Sequence, residues 1–143
     1  MNIPVILERK KTMKNLVVVT GGAGFIGSNL IKLLLNKTNY KILSIDNYSS
    51  GSKKNHILSP RTKYIKENTK NISKILKNKS KKIKAIFHFG EFARIYQSFR
   101  KMNECINSNS IGSNEVFNFC LKYKIKLIYS ATSASIGNHG KDK

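Results

Sequence analysis

The stretch Leu16-Val17-Val18-Val19-Thr20-Gly21-Gly22-Ala23-Gly24-Phe25-Ile26-Gly27 decides the fold. A run of β-branched and apolar residues enters a turn with three glycines, and an amphipathic segment follows. The order predicts a buried strand over Leu16–Thr20, a tight turn, and a helix over Phe25–Lys37 with Ile26, Leu30, Leu33 and Leu34 on the face that packs on a sheet. Glycines let a backbone come close to a diphosphate, and a helix start offers free N–H groups and the positive end of its dipole to that anion. The turn therefore reads as a cradle for a dinucleotide.

Outward from this turn, short apolar stretches alternate with helical ones. Further strands are expected at Lys41–Asp46, Lys63–Glu67, Ala85–Phe89 and Ile125–Ser130. Helices are expected at Asn71–Lys79 and as one long segment within Ser98–Tyr123. This alternation implies an α/β protein, a Rossmann-type doubly wound parallel sheet ending after about five strands. Right-handed crossovers give the order 3-2-1-4-5, with the last strand at an edge. Residues 1–14 read as a loose extension and residues 15–143 as the domain.

The chain carries 27 Lys and Arg against 7 Asp and Glu, a net charge of +20. Such a balance invites a nucleic-acid reading, since phosphate neutralisation supplies most of that affinity. The distribution argues against it. Only Arg9, Arg61, Arg94 and Arg100 are arginine, and the lysines are scattered over predicted helices, loops and strand ends. The densest stretch, Lys77-Asn78-Lys79-Ser80-Lys81-Lys82-Ile83-Lys84, reads as a solvated helix end and loop. No specific nucleic-acid partner is expected. No apolar run reaches the ~18 residues needed to cross a membrane. Cys105 and Cys120 fall in one predicted helical region, roughly 22 Å apart at ~1.5 Å per residue, too far for a disulfide. They read as reduced thiols of a cytoplasmic protein, and no cluster has metal-ligand spacing.

Asp46 closes the second predicted strand nineteen residues after Gly27, where a carboxylate accepts hydrogen bonds from the adenosine ribose hydroxyls. A 2′-phosphate would meet its charge, and Asn47-Tyr48-Ser49-Ser50-Gly51 contains no arginine to offset it. NAD is expected rather than NADP.

With Thr20-Gly21-x-x-Gly24-x-x-Gly27 and Asp46-Asn47-Tyr48-Ser49-Ser50-Gly51 go three further motifs: His88-Phe89-Gly90, Asn109-x-x-Gly112-Ser113 and Tyr129-Ser130-Ala131-Thr132-Ser133-Ala134-Ser135-Ile136-Gly137. In order and spacing they resemble the extended short-chain dehydrogenase/reductase family, and within it the NAD-dependent sugar-nucleotide epimerases and dehydratases of the UDP-glucose 4-epimerase type. The resemblance covers about residues 15–140. It implies a cofactor set of Gly21, Gly24, Phe25, Ile26, Gly27, Asp46, Asn47, Asn68, Thr69, Phe89, Gly90 and Asn109. Asn68-Thr69 stands where the family has Asp before an apolar residue near the adenine, and Asn109 matches an Asn that braces the region behind the active site. Gly90-Glu91 replaces a small apolar pair beside the dinucleotide. Thr132, five residues before Gly137, is the expected catalytic hydroxyl, bonded to the substrate oxygen being oxidised.

The family's base is the Tyr of Tyr-x-x-x-Lys, and none of the six tyrosines has Lys four residues on. The resemblance thus implies the N-terminal part of an epimerase, with the base and the C-terminal sugar-nucleotide domain absent from these residues and the chain alone inactive. It also implies a nucleotide-sugar substrate, and it allows a homodimer, for a whole protein. A non-catalytic NAD- or nucleotide-binding module is the alternative.

Overall fold

A computed structural model describes residues 13–131. Five strands, β1 (Leu16–Thr20), β2 (Lys41–Asp46), β3 (Thr62–Lys66), β4 (Ile83–His88) and β5 (Lys126–Tyr129), form one parallel sheet in the order β3-β2-β1-β4-β5. The expected order holds, with β5 at one edge. β1 and β2 have the expected bounds, whereas β3 starts and ends one residue early and β4 starts two residues early.

Successive side chains of a strand point to opposite faces, and here both faces are covered. Val17, Val19 and Ile42 pack with Ile31 beneath α1 (Phe25–Lys37). On the other face Val18, Leu43, Ile45 and Ile86 pack with Ile72 and Leu76 of α2 (Ile72–Leu76) and with Val116, Phe119 and Cys120 of the C-terminal helix. Burial on that face pushes the Cys120 thiol up to about 11.

The packed stripe of α1 differs from the expected one. Ile31 is buried, Leu30, Leu34 and Leu35 are partly covered, and Ile26 and Leu33 stay 58% and 53% exposed. The cause lies at Gly27: a Cβ there would stand 2.3 Å from the Gly21 carbonyl oxygen and 2.7 Å from Gly22 Cα. The helix turns its bare glycine onto the preceding loop, which points residues 31, 34 and 35 at the sheet and rotates 26 and 33 away, each about 100° from its packed neighbour.

The long helix expected within Ser98–Tyr123 is divided. A short α3 (Ile95–Arg100) ends at Lys101, whose φ of −128° and ψ of 42° leave the helical region. From there α4 (Met102–Cys105), a π-helical stretch (Ile106–Gly112) and α5 (Ser113–Tyr123) run on without a break. Cys105 and Cys120 lie in this run as free thiols. The predicted helix Asn71–Lys79 is shorter, with α2 flanked by 3-10 turns at Thr69–Asn71 and Lys77–Lys82. The lysines from Lys77 to Lys84 are all exposed. Among the described residues no helix is long and apolar enough to cross a membrane.

Candidate dinucleotide site

The glycine turn joins β1 to α1 where the sheet order reverses, β2 on one side of β1 and β4 on the other. Crevices at such a switch point are where open α/β sheets hold ligands. Gly21 takes φ of +70°, and a Cβ on it would sit 2.6 Å from the Phe89 carbonyl oxygen. Both constraints require glycine. Gly24, the N-cap of α1, has ordinary extended geometry, and no side chain caps the first turn or places an acid in it. A Cβ on Gly24 would meet only Gly21 O, at 3.2 Å. The packing demand is weaker here than at Gly21 or Gly27, and the bare N-cap leaves the N–H groups at the helix start open to an anion.

A cleft of about 430 Å³, including space open to solvent, lies over this turn. Of the twelve cofactor residues expected, Gly21, Gly24, Asp46, Asn47, Thr69, Phe89 and Gly90 line it. Gly27 lies buried beneath the turn, and Phe25 is 82% exposed at the helix start. Ile26 and Asn109 instead line a second cavity of about 1050 Å³, counted in the same way, which shares Phe89 and Glu91 with the cleft and extends to Ser130 and Ala131. Asn68 sits behind Asn47, whose Nδ2 donates to Asn68 Oδ1 at 2.9 Å. Asn109 braces the turn after β4: its Oδ1 accepts from Phe92 N at 2.6 Å and its Nδ2 donates to Phe92 O at 2.9 Å. Thr132 lies outside the described residues.

Asp46 is 8% exposed and already organises the cleft wall. Its Oδ2 accepts from Ala23 N at 2.9 Å and its Oδ1 from Tyr48 N at 2.8 Å, tying the β2 end to the glycine turn. The following loop closes over that turn through Ser52 N to Ala23 O at 3.0 Å and Asn55 Nδ2 to Ala23 O at 2.8 Å. Tyr48 is held in the left-handed region at φ 61°, with its hydroxyl 2.9 Å from His56 Nε2.

Glu91, left by the sequence facing either solvent or the nicotinamide side, stands in the cleft wall together with Glu67, which sequence reasoning missed. Glu67 stands one residue past β3. Hydrogen bonds from Asn68 N and Asn71 Nδ2, 2.8 and 3.1 Å to Oε1, hold its pKa below the usual carboxylate range. Its proximity to Asn68 was the available signal. For Glu91 the motif gave the position beside the dinucleotide but not its partners Ser113 and Tyr129, which come from distant segments.

The charge of the lining is the inverse of the chain's. Three of the seven acidic residues, Asp46, Glu67 and Glu91, line the cleft, and among the described residues no Lys or Arg does. Such a wall accepts hydrogen bonds from hydroxyl and amino groups, while the helix start takes the anion.

Comparison with known proteins identifies the lineage. Residues 17–143 match the NAD dependent epimerase/dehydratase family, so the chain belongs to that family. It is 31% identical over 125 residues to the ADP-L-glycero-D-manno-heptose-6-epimerase of Brachyspira hyodysenteriae, a match covering 86% of this chain and 39% of that protein. Among solved structures it resembles the UDP-glucose 4-epimerase of Thermotoga maritima, crystallised with UDP-glucose (29% identity, TM-score 0.72, 82% of this chain and 38% of that one). It also resembles the UDP-Glc/GlcNAc 4-epimerase of Campylobacter jejuni (25% identity, TM-score 0.74, 86% and 39%). The chain thus spans about two fifths of the length of these relatives.

Proposed function

We propose that this chain is the NAD-binding portion of a sugar-nucleotide epimerase resembling UDP-glucose 4-epimerase, whose whole reaction transiently oxidises carbon 4 of a nucleotide-linked hexose. The observation that carries the reading is the cleft itself, a glycine turn and uncapped helix start at the switch point, walled by carboxylates and, among the described residues, by no Lys or Arg. The residues fit the cofactor. The N–H groups at the start of α1 would hold the pyrophosphate, and Asp46 the adenosine ribose, with Thr69 and Asn68 on the adenine side. A 2′-phosphate would face Asp46 and Glu67 without a cation, which favours NAD over NADP. When bound, NAD supplies a hydride acceptor that later returns the hydride.

Thr132 is the residue proposed to hydrogen-bond the substrate oxygen. These 143 residues contain no Tyr-x-x-x-Lys, and a positioned base contributes ~10²–10⁴-fold in rate. The chain alone should therefore bind NAD without turning over a nucleotide sugar. Calorimetric titration tests the reading: saturable NAD binding, weaker NADP binding, and about a tenfold loss of NAD affinity in Asp46→Ala, the scale of one hydrogen bond to a charged group. No saturable NAD binding by folded chain would overturn it, and turnover of UDP-glucose by the purified chain would show that a base is present elsewhere.

A further inference from the structure

Thr20, His88, Ser113, Glu91 and Tyr129 come from four different segments and join in one hydrogen-bonded chain. Thr20 Oγ1 lies 2.6 Å from His88 Nδ1, His88 Nε2 lies 2.9 Å from Ser113 Oγ, and Glu91 Oε1 lies 2.9 Å from Ser113 Oγ and 2.7 Å from the Tyr129 hydroxyl. Thr20, His88 and Ser113 are buried. The donors and acceptors, with the shorter contact of Ser113 Oγ to Glu91 taken over its 3.5 Å contact to Ser108 O, fit one direction. Thr20 Oγ1 already accepts from Phe89 N at 3.2 Å and Gly90 N at 3.0 Å, so its own hydrogen goes to His88 Nδ1. A neutral His88 then carries its proton on Nε2 and donates to Ser113, which donates to Glu91. A carboxylate accepts only, and it closes the sequence.

We propose that Glu91 is a positioning residue for dinucleotide binding: as terminal acceptor it sets the direction of this chain, and the Thr20 oxygen at the far end holds the Phe89–Gly90 backbone at the lip of the cleft. The proposal rests on the cleft being the NAD site. Phe89 and Gly90 both line it, and the Phe89 carbonyl is the atom against which Gly21 is packed. The same carboxylate, through Tyr129, ties the exit of β4 to the end of β5, across the second cavity that both segments line.

The test uses the 143-residue chain, with NAD titration calorimetry and ¹⁵N spectra of the His88 ring at neutral pH. Wild type should bind NAD and show His88 protonated at Nε2. Glu91→Ala should shift the ring toward a mixture of tautomers and weaken NAD about tenfold. Glu91→Gln, whose amide oxygen can still accept from both Ser113 and Tyr129, should restore both readouts. Ser113→Ala, cutting the chain one link earlier, should cost as much as Glu91→Ala, and the double variant no more than either single one. This non-additivity separates a shared chain from two unrelated losses of stability. If Glu91→Ala fails to fold, Ser113→Ala by itself should shift the His88 ring and weaken NAD while Glu91→Gln leaves both unchanged, and a Ser113→Ala variant with unchanged NAD affinity and His88 signals would overturn the proposal. Unchanged NAD affinity and unchanged His88 signals in Glu91→Ala would overturn the proposal, as would fully additive losses. Wild type that shows the Nε2 proton yet does not bind NAD would instead overturn the cofactor reading, and the proposal with it.

Discussion

Two glycines of the turn are glycine for different reasons. At Gly27 an added Cβ would collide with backbone, 2.3 Å from Gly21 O, and nothing there can swing aside. At Gly24 the nearest atom is 3.2 Å away. Gly27→Ala should therefore destabilise the fold by about 1–3 kcal/mol, the usual range for overpacking. Gly24→Ala, which presses on Gly21 O by only a few tenths of an ångström, should destabilise less than Gly27→Ala, while Gly24→Val should abolish NAD binding. Thermal denaturation and calorimetry on the three variants separate these roles, and equal destabilisation of Gly24→Ala and Gly27→Ala would contradict it. His88 carries a second expectation. Burial holds its pKa below the ordinary 6.5, against a smaller opposing pull from Glu91. The unfolded chain takes up a proton near pH 6.5 that the folded one refuses, so this contribution to stability is complete above that pH and shrinks as pH falls below it. The thermal midpoint should drop from pH 7 to pH 5, and the drop should be smaller in His88→Gln. Glu67 does not confuse that window, because its lowered pKa places its loss at more acid pH.

Strand β2 contains an unpaired group. Ser44 is 1% exposed, and its Oγ is the only buried side-chain oxygen or nitrogen without a hydrogen-bond partner among the described residues. A Cβ on Gly22 would fall 2.2 Å from this oxygen, so serine and glycine fill one space between strand and turn. A buried hydroxyl without a partner costs about 1–3 kcal/mol of desolvation. Ser44→Ala should raise stability by up to about 1 kcal/mol in urea denaturation without changing the slope of the transition. Ser44→Val should lower it by pressing on Gly22. The π-helical stretch shows a related fit: a Cβ on Gly112 would reach within 2.2 Å of Thr69 Oγ1, so the stretch lies directly on the adenine side of the proposed site. Such π turns concentrate at functional positions.

At the scale of the molecule, the basic side chains of the described residues lie outside the site and are spread over the remainder of the surface. The excess of lysine should give weak, salt-sensitive, sequence-indifferent association with DNA, since scattered lysines neutralise phosphates without reading bases. Tight, sequence-selective retention in a filter-binding assay at physiological salt would contradict this. The sheet edge is a separate feature. Beside β5 lies a largely apolar groove lined by Phe117, Cys120, Leu121, Ile125, Leu127 and Tyr129, with Lys124 its one charged residue among the described residues, and Leu121 is 76% exposed. An open edge with an apolar flank favours pairing between copies. Sedimentation of the purified chain should show association that rises with concentration, reduced in Leu121→Lys. A monomer at all concentrations would show that the charge alone keeps copies apart.

What the sequence by itself determined follows from local rules. Periodicity and turn chemistry act over a few residues, and they placed β1, β2 and α1 to the residue, located the glycine cradle and Asp46, and through alternation dictated the strand order. The family matches those expectations. Other features depend on contacts between segments far apart in the chain. The rotation of α1 was decided by Gly27 meeting Gly21, and the helix breaks at Lys101, where no glycine or proline in the sequence marks a stop. Asn109 bonds to Phe92 rather than lining the cleft, and Glu91 finds Ser113 and Tyr129 across 22 and 38 residues. A carboxylate's role depends on which donors surround it, and only the folded sheet brings these donors together.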